Sequence, residues 1–125
     1  MSGIMIEYNI NGNDMQRRNE MGNIKILNED NYSEAIASGV VVVDFFADWC
    51  GPCHMMAPII DEASSVYEGR VVFAKLDIEE SKPIAINNKI MSIPTLLFFK
   101  DGQLADRVTG AINKSTLFER VDALL

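Results

Sequence analysis

The sequence predicts an α/β fold in which helices flank a central mixed β-sheet. Segments rich in β-branched and aromatic residues alternate with segments in which apolar residues recur every three or four positions. One strand-like run, residues 40–47, is apolar almost throughout, which is typical of a strand covered on both faces. The tight-turn pair Asp101-Gly102 lies between two further strands, so one hairpin accompanies the crossover connections.

The elements in the first half of this fold are predicted from apolar runs and from the residues that end them. Residues 24–27 predict a short strand, residues 28–38 a helix closed by Gly39, and residues 40–47 the central strand. From the cysteines to residue 69 the apolar positions have helical spacing, and we expect Pro58 to kink that helix.

The second half completes the sheet and its outer layer. Residues 71–77, 95–100 and 103–109 predict strands, and residues 83–88 predict a helix. Asn113 is suited to cap the last helix. The apolar stripe of that helix consists of Leu117, Phe118, Val121, Leu124 and Leu125.

Composition and charge exclude several classes of protein. The 125 residues are 48% hydrophobic and 23% charged, which is the balance of one soluble globular domain. No apolar run approaches the roughly 20 residues of a membrane span, and the N-terminus lacks the features of a signal peptide. A net charge of -7 repels nucleic-acid phosphates and anionic lipid. We therefore expect a cytoplasmic protein with no membrane or nucleic-acid partner.

Residues 1–22 differ in composition from the rest of the chain. They are rich in Asn, Gly and Met, and we expect a flexible extension before a domain that covers residues 23–125. The alternative is a short edge strand, because Ile6, Tyr8 and Ile10 alternate with polar residues.

The two cysteines carry the chemistry. Cys50 and Cys53 are placed where the central strand ends and the long helix begins, and sites in open α/β sheets lie at that edge. The free N-H groups and the dipole of a helix N-terminus stabilise a thiolate, the form that attacks disulfides. Cys50 is therefore the predicted nucleophile. Cys53, one turn further on, is the predicted resolving cysteine.

Three other uses of the cysteine pair are less consistent with the sequence than a redox couple. A structural disulfide closing so short a loop would restrain little chain entropy, and the cytosol would tend to reduce it. A zinc site needs four ligands, whereas the chain offers two cysteines and the single His54, so no metal is expected. Buried inert thiols fit poorly with the turn residues Gly51 and Pro52 between them.

Further residues accompany the cysteine pair in a characteristic order: Asp44, the run Trp49-Cys50-Gly51-Pro52-Cys53, Lys75, the run Ile93-Pro94-Thr95, and Gly110. With these residues the sequence resembles the thioredoxin family over residues 24–125. The family is itself a standard example of a Cys-x-x-Cys pair with a lowered cysteine pKa. The resemblance implies the thioredoxin fold.

Asp44 interrupts an apolar strand, so its carboxylate is predicted to be buried, with a raised pKa suited to proton transfer. The resemblance implies that Asp44 assists deprotonation of Cys53, through water, with Lys75 nearby as a pKa-tuning residue. The alternative is an ion pair with no catalytic part.

The resemblance also implies a client-binding surface around Cys50. The peptide bond before Pro94 is expected to be cis, with Pro94 facing the cysteine sulfurs. The alternative is that Pro94 is a turn proline with a purely structural role. A small apolar surface rich in backbone groups suits loose docking of extended segments. Its expected members are Trp49, Gly51, Pro52, Ile93, Pro94, Gly110 and Ala111. For Trp49 the alternative is a core aromatic.

Two positions depart from the family pattern. Phe46 stands where the family often has a second tryptophan, which should alter packing but supplies no reacting atom. His54 replaces the Lys or Arg commonly found after the second cysteine. The position of His54 near the N-terminus of a helix disfavours its protonated form. His54 either tunes the redox potential modestly or is an ordinary solvated residue.

The expected function is a general protein-disulfide reductase with a reversible Cys50/Cys53 couple and no bound cofactor. The resemblance implies a monomer that serves disulfide-containing client proteins and is recycled by a thioredoxin reductase. One rival is a thiol oxidase or isomerase of the same fold, although Gly51-Pro52 resembles the reducing members. The other rival is a docking or assembly module that uses the fold without turnover.

Overall fold

The strands and helices follow one another in the order that the sequence predicts. The computed structural model describes residues 23–125, so the expectations for residues 1–22 lie outside the described residues. The elements are β1 (Lys25–Leu27), α1 (Tyr32–Ala35), β2 (Val40–Phe46), α2 (Gly51–Val66), β3 (Val71–Asp77), α3 (Lys82–Asn87), β4 (Thr95–Lys100), β5 (Gln103–Thr109) and α4 (Lys114–Asp122). Within this range no helix is both long and apolar enough to cross a membrane.

The strands form one mixed sheet in the order β1-β3-β2-β4-β5. β3 is parallel to both β1 and β2, whereas β4 is antiparallel to β2 and β5 is antiparallel to β4. β2 therefore lies at the centre, and its apolar run is covered on both faces as predicted. The predicted mixed sheet flanked by helices, the thioredoxin fold, is confirmed.

Alternate residues of β2 belong to two separate apolar cores. We call the side covered by α2 and α4 the α2 face. Its buried residues include Val40, Val42, Met56, Ile60, Phe73, Leu96, Phe98, Leu117 and Val121. We call the side covered by α1 and α3 the α1 face. Its buried residues include Tyr32, Val41, Val43, Phe45, Leu76, Ala85, Leu97 and Phe99. The period of two along a strand assigns Asp44 and Phe46 to the α2 face.

The first helix is shorter at both ends than the sequence predicts, since it begins at Tyr32 rather than at Asn28 and ends at Ala35 rather than at Ser38. The Asn28 side-chain oxygen accepts hydrogen bonds from the backbone N-H groups of Asp30 at 2.8 Å and Asn31 at 3.2 Å. Asparagine side chains compete in this way with helical hydrogen bonding. Residues 28–31 therefore form a turn that precedes the helix.

The two long helices begin at side chains that cap them. The Asn113 side-chain oxygen accepts from the backbone N-H of Thr116 at 2.8 Å, which confirms the predicted cap of α4. Cys50 caps α2, with Pro52 in the first turn. α2 continues through Pro58 as one element. Its first turn lies at the carboxyl end of β2, where the site is built.

Candidate active site

The two cysteines are joined as a disulfide at the start of α2. Their Cα atoms are 5.3 Å apart, which confirms that Cys53 lies close enough to Cys50 to close the small ring. Both residues are only 4% exposed, whereas Gly51 and Pro52 between them are exposed. The pair is therefore present in its oxidised form beneath an exposed turn.

The helix N-terminus is directed at the Cys50 sulfur. The backbone N-H of Cys53 donates to Cys50 Sγ at 3.2 Å, and Cys50 is the N-cap residue. An N-H group aimed at sulfur and the positive end of the helix dipole both favour a negative charge on that atom. No equivalent donor is directed at Cys53 Sγ among the described residues. The two thiols of the reduced protein are thus electrostatically distinct.

Asp44 is a buried carboxyl group without a hydrogen-bond partner in the described part of the chain. It is 0% exposed, and neither of its oxygens has a hydrogen-bond donor among residues 23–125. Burial raises the pKa of Asp44 to about 6, an increase that the nearby positive charge of Lys75 partly opposes. A carboxyl group of this kind both gains and loses a proton near neutral pH. The predicted burial and the predicted rise in pKa are both confirmed.

Lys75 lies beside Asp44 on the neighbouring strand but does not pair with it. The two residues are direct partners in the parallel β2 and β3 register, yet the ion pairs of the described region do not include them. The Lys75 Nζ atom instead lies 4.8 Å from the centroid of the Phe46 ring. The alternative interpretation of Asp44 as half of an ion pair therefore has no support in this geometry.

The loop before β4 brings Ile93 and Pro94 to the cysteines. The Ile93-Pro94 peptide bond is cis, as the resemblance implies. The Ile93 carbonyl oxygen lies 3.8 Å from Cys50 Sγ. The backbone N-H of Gly110 donates to the Pro94 carbonyl at 2.8 Å, which joins the end of β5 to the same loop. The loop before β4 therefore contacts the Cys50 sulfur, and the end of β5 is joined to that loop.

The segment after β5 is fixed to α2. Gly110 has a φ of 97°, in the left-handed region where a side chain would be strained. Two residues later, the backbone N-H of Ile112 donates to Met56 Sδ at 3.4 Å. Ala111 is exposed between these two positions and borders an apolar groove of about 290 Å³, which Met55, Met56, Ile59 and Ile112 also line.

Trp49 lies on the surface and not in the core. It is 67% exposed, and its indole N-H donates to Glu79 Oε2 at 2.7 Å. One side of the ring borders a groove of about 300 Å³, whose other lining residues are Ile78, Ile90, Met91, Ser92 and Ile93. The alternative interpretation of Trp49 as a core aromatic is wrong.

Sequence reasoning missed the groups that hold the loops of this site. Glu79 orients Trp49 through a hydrogen bond. The parallel pairing of β2 with β3 places the residues that follow these two strands at one edge of the sheet, and that pairing could have indicated the contact. The sequence marks Met56 only as an apolar residue of the helix after the cysteines, although its sulfur also accepts the Ile112 N-H. The His54 Nε2 atom lies 2.6 Å from the Asp48 carbonyl oxygen. Nothing in the sequence pattern indicated that contact.

Comparison with known proteins decides the family. The family model described as Thioredoxin matches residues 23–123, which is most of the chain. The chain belongs to the thioredoxin family. It is 44% identical over 102 residues to thioredoxin from Staphylococcus aureus, covering 82% of this chain and 97% of that protein. It is 46% identical over 94 residues to thioredoxin from Staphylococcus haemolyticus, covering 75% of this chain and 90% of that protein.

Membership of the thioredoxin family fixes the class of chemistry. The chain is a thiol-disulfide oxidoreductase of the thioredoxin type, and Cys50 and Cys53 form its redox-active pair. Two electrons reduce the observed disulfide to a dithiol, and the dithiol returns them to another disulfide.

Proposed function

We propose that this protein reduces client proteins with Cys50 as nucleophile, Cys53 as resolving thiol and Asp44 as proton acceptor. One observation carries the assignment. Cys50 Sγ receives the N-H of Cys53 at the N-terminus of α2, while an unpartnered carboxyl group is buried on the same face of the sheet. This arrangement supplies a stabilised thiolate and a base to separate parts of one site.

The reaction has two displacement steps. The Cys50 thiolate attacks one sulfur of a client disulfide, forms a mixed disulfide and releases the other client sulfur as a thiolate, which takes a proton from solvent. The Cys53 thiol then loses its proton and attacks Cys50 Sγ, which breaks the bond to the client and releases the second client sulfur as a thiolate that takes a proton from solvent. The client leaves with two thiols, and the protein is left with the Cys50–Cys53 disulfide.

Asp44 acts on the second step. We place it as the acceptor of the Cys53 proton, with a water molecule as the intermediary, because its raised pKa matches the proton affinity that a base needs near neutral pH. Burial raises the pKa of Asp44, and the positive charge of Lys75 on the neighbouring strand lowers it in part.

Client segments dock around Cys50. The exposed Trp49 ring supplies apolar area, and the Ile93 carbonyl close to Cys50 Sγ offers an acceptor to an extended backbone. Gly51, Pro52, Pro94, Gly110 and Ala111 complete the surface that we assign to clients. The contacts are few and largely made with backbone, so many different client sequences fit.

A separate enzyme restores the dithiol. Each turnover leaves a disulfide and consumes two electrons, which a flavin-dependent thioredoxin reductase supplies in our proposal. We also propose that the protein works as a monomer in a reducing compartment such as the cytoplasm, where oxidised clients are returned to thiols.

Reduction of insulin disulfides, with dithiothreitol as electron donor, tests the assignment of roles. We expect the wild-type protein to accelerate insulin reduction, Cys50→Ser to lose this activity, and Cys53→Ser to accumulate a mixed disulfide through Cys50. The matched control is Ser65→Ala on the exposed side of α2. It should retain the wild-type rate.

Three outcomes would contradict the proposal. Insulin reduction that is equally fast in Cys50→Ser and in the wild type would remove Cys50 as nucleophile. A mixed disulfide that forms through Cys53 in the Cys50→Ser protein would reverse the two roles. A redox potential more oxidising than that of the glutathione pool would favour the oxidase or isomerase interpretation instead.

A further inference from the structure

The arrangement of charge around Asp44 is unusual for a buried site. Both carboxyl oxygens lack a hydrogen-bond partner among residues 23–125, although an ammonium group is available on the next strand. Buried carboxylates normally take such a partner. Something in the structure therefore keeps Lys75 from Asp44.

The register of β2 and β3 identifies Phe46 as the group responsible. Asp44 is directly opposite Lys75, and Phe46, two residues along the same face, is directly opposite Asp77. A lysine side chain that starts opposite Asp44 has two partners within reach on β2. In the structure its Nζ atom lies 4.8 Å from the centroid of the Phe46 ring.

The aromatic ring is a competitive partner for this cation. Lys75 is 8% exposed, so most of its side chain is shielded from water. Cation-π contacts strengthen under these conditions. Asp44 is 0% exposed, so a direct pair would require Lys75 to give up the water contact that it retains. The free-energy cost of that desolvation offsets much of the Coulomb attraction.

We propose that Phe46 is a positioning residue, whose ring holds the Lys75 ammonium out of ion-pair contact with Asp44 and leaves that carboxyl group able to accept the Cys53 proton. This inference rests on the proposed role of Asp44. A direct ion pair would stabilise the carboxylate and make it a weaker base, whereas the observed arrangement leaves the charge of Lys75 near but unpaired.

Other charged and titratable groups on the elements around Asp44 do not account for the arrangement. β4 places the apolar Leu96 opposite Asp44 and carries its own charge, Lys100, at the far end of the strand. Besides Lys75, β3 carries Asp77 and α2 carries His54, Asp61 and Glu62, while Cys53 is held in the disulfide. The cation that acts on the Asp44 charge is Lys75.

The test measures the protonation of Asp44 directly, by carbon NMR of its carboxyl group in the oxidised full-length protein. Phe46→Leu removes the ring and retains an apolar side chain, so we expect Lys75 to pair with Asp44. The midpoint of the Asp44 titration should move to lower pH by about one unit, as for a carboxyl group that gains a cationic partner. Phe46→Tyr keeps the ring and should leave the midpoint unchanged.

A double variant makes the result specific to Lys75. Lys75→Met alone should raise the midpoint, and Phe46→Leu should have no further effect once Lys75 is replaced. If Phe46→Leu does not fold, as judged by circular dichroism, Phe46→Met provides the same loss of the ring with a flexible side chain. An unchanged or raised midpoint in the folded variant that lacks the ring would overturn the inference.

The design separates this inference from the proposed function. The carboxyl titration reports on the position of Lys75 even if Asp44 takes no part in catalysis. Insulin reduction by Asp44→Asn reports on the catalytic role even if Phe46 does not position Lys75. Failure of the titration result therefore removes only the positioning role of Phe46.

Discussion

The two faces of the central sheet are equally well buried but differ in chemistry. On the α1 face, Val43 and Phe45 pack among apolar side chains at 0% exposure. On the α2 face, Asp44 is also 0% exposed, and Lys75 lies beside it. The described part of the α1 face has no buried carboxylate or ammonium group. Burial alone therefore does not distinguish the site. The two faces differ because Asp44, a polar residue in the otherwise apolar β2, lies on the α2 face.

The position of that residue along the strand is equally important. Asp44 lies near the carboxyl end of β2, the strand that leads into the cysteines, and the alternation along this strand assigns its side chain to the face that α2 covers. The N-terminus of α2 stabilises negative charge on Cys50, while the buried carboxyl group stores a proton. The following substitutions test this contrast between the faces.

The largest effect on stability should come from the α1 face. Leu97→Ala removes a fully buried side chain of β4, and cavities of this kind cost about 3 kcal/mol of unfolding free energy. Urea unfolding should show the same loss at pH 5 and pH 7, because no titrating group of the site is touched. Insulin reduction by the folded fraction should remain at the wild-type rate, and a specific loss of activity would show that the two faces are coupled.

Asp44→Asn should have the opposite effect on stability. The pKa of Asp44 is raised from 3.8 to about 6 on folding, so the folded state holds its proton more tightly and is less stable when Asp44 is ionised. The variant should therefore gain about 2 kcal/mol at pH 7, somewhat less than the full linkage value because a buried amide also lacks partners. The gain should decline as the pH falls through 6 and vanish below about 4.

The control for Asp44→Asn is Asp30→Asn in the exposed turn before α1. Urea unfolding of this variant should match the wild type at every pH between 4 and 8. A stability gain for Asp44→Asn that is independent of pH would show that the ionised carboxyl group is not the source of the effect.

A smaller effect is expected where Glu79 holds Trp49. Both residues are exposed, so the 2.7 Å hydrogen bond contributes less than about 1 kcal/mol. Glu79→Ala should raise KM for insulin about threefold without changing kcat, since only the docking surface is loosened. Glu79→Gln retains an acceptor and should behave as the wild type. Equal KM values for the two variants would exclude an orienting role.

The smallest effect is expected at His54. Its Nε2 atom lies 2.6 Å from a carbonyl oxygen, which only accepts, so this nitrogen carries the proton and donates to Asp48. His54→Ala should lower the rate of insulin reduction by no more than about twofold, because an exposed hydrogen bond of this kind is weak. Nitrogen NMR at neutral pH should show the Nε2-H tautomer. The Nδ1-H form would contradict the contact.

Much of the fold was predictable because strong local signals agree with the tertiary structure. The apolar run of β2, the spacing in α2 and the Asn113 cap each have one physical interpretation, and the structure has all three. The start of α1 was predicted wrongly because side-chain hydrogen bonds from Asn28 outweigh helical propensity there. Such local competition leaves no periodic trace in the sequence.

The site was predictable in its reacting groups and less so in their supports. Cys50 and Cys53 stand out as a close pair between a predicted strand and a predicted helix, and Asp44 stands out because it interrupts an apolar strand. Glu79 and Met56 act through contacts between segments that are distant in the chain, and each residue type is ordinary at its position. The contact of Lys75 with Phe46 depends on a choice between two partners, which only the three-dimensional arrangement decides.

The most direct test of the account is the pH dependence of mixed-disulfide breakdown in a single turnover, followed by the fluorescence of Trp49, the only tryptophan in the chain. In the wild type, the rate should rise with pH through the titration of Asp44, near pH 6. In Asp44→Asn this rise should be absent, and breakdown at pH 7 should be about a hundredfold slower. Superimposable profiles for the two proteins would contradict the role of Asp44 as the proton acceptor.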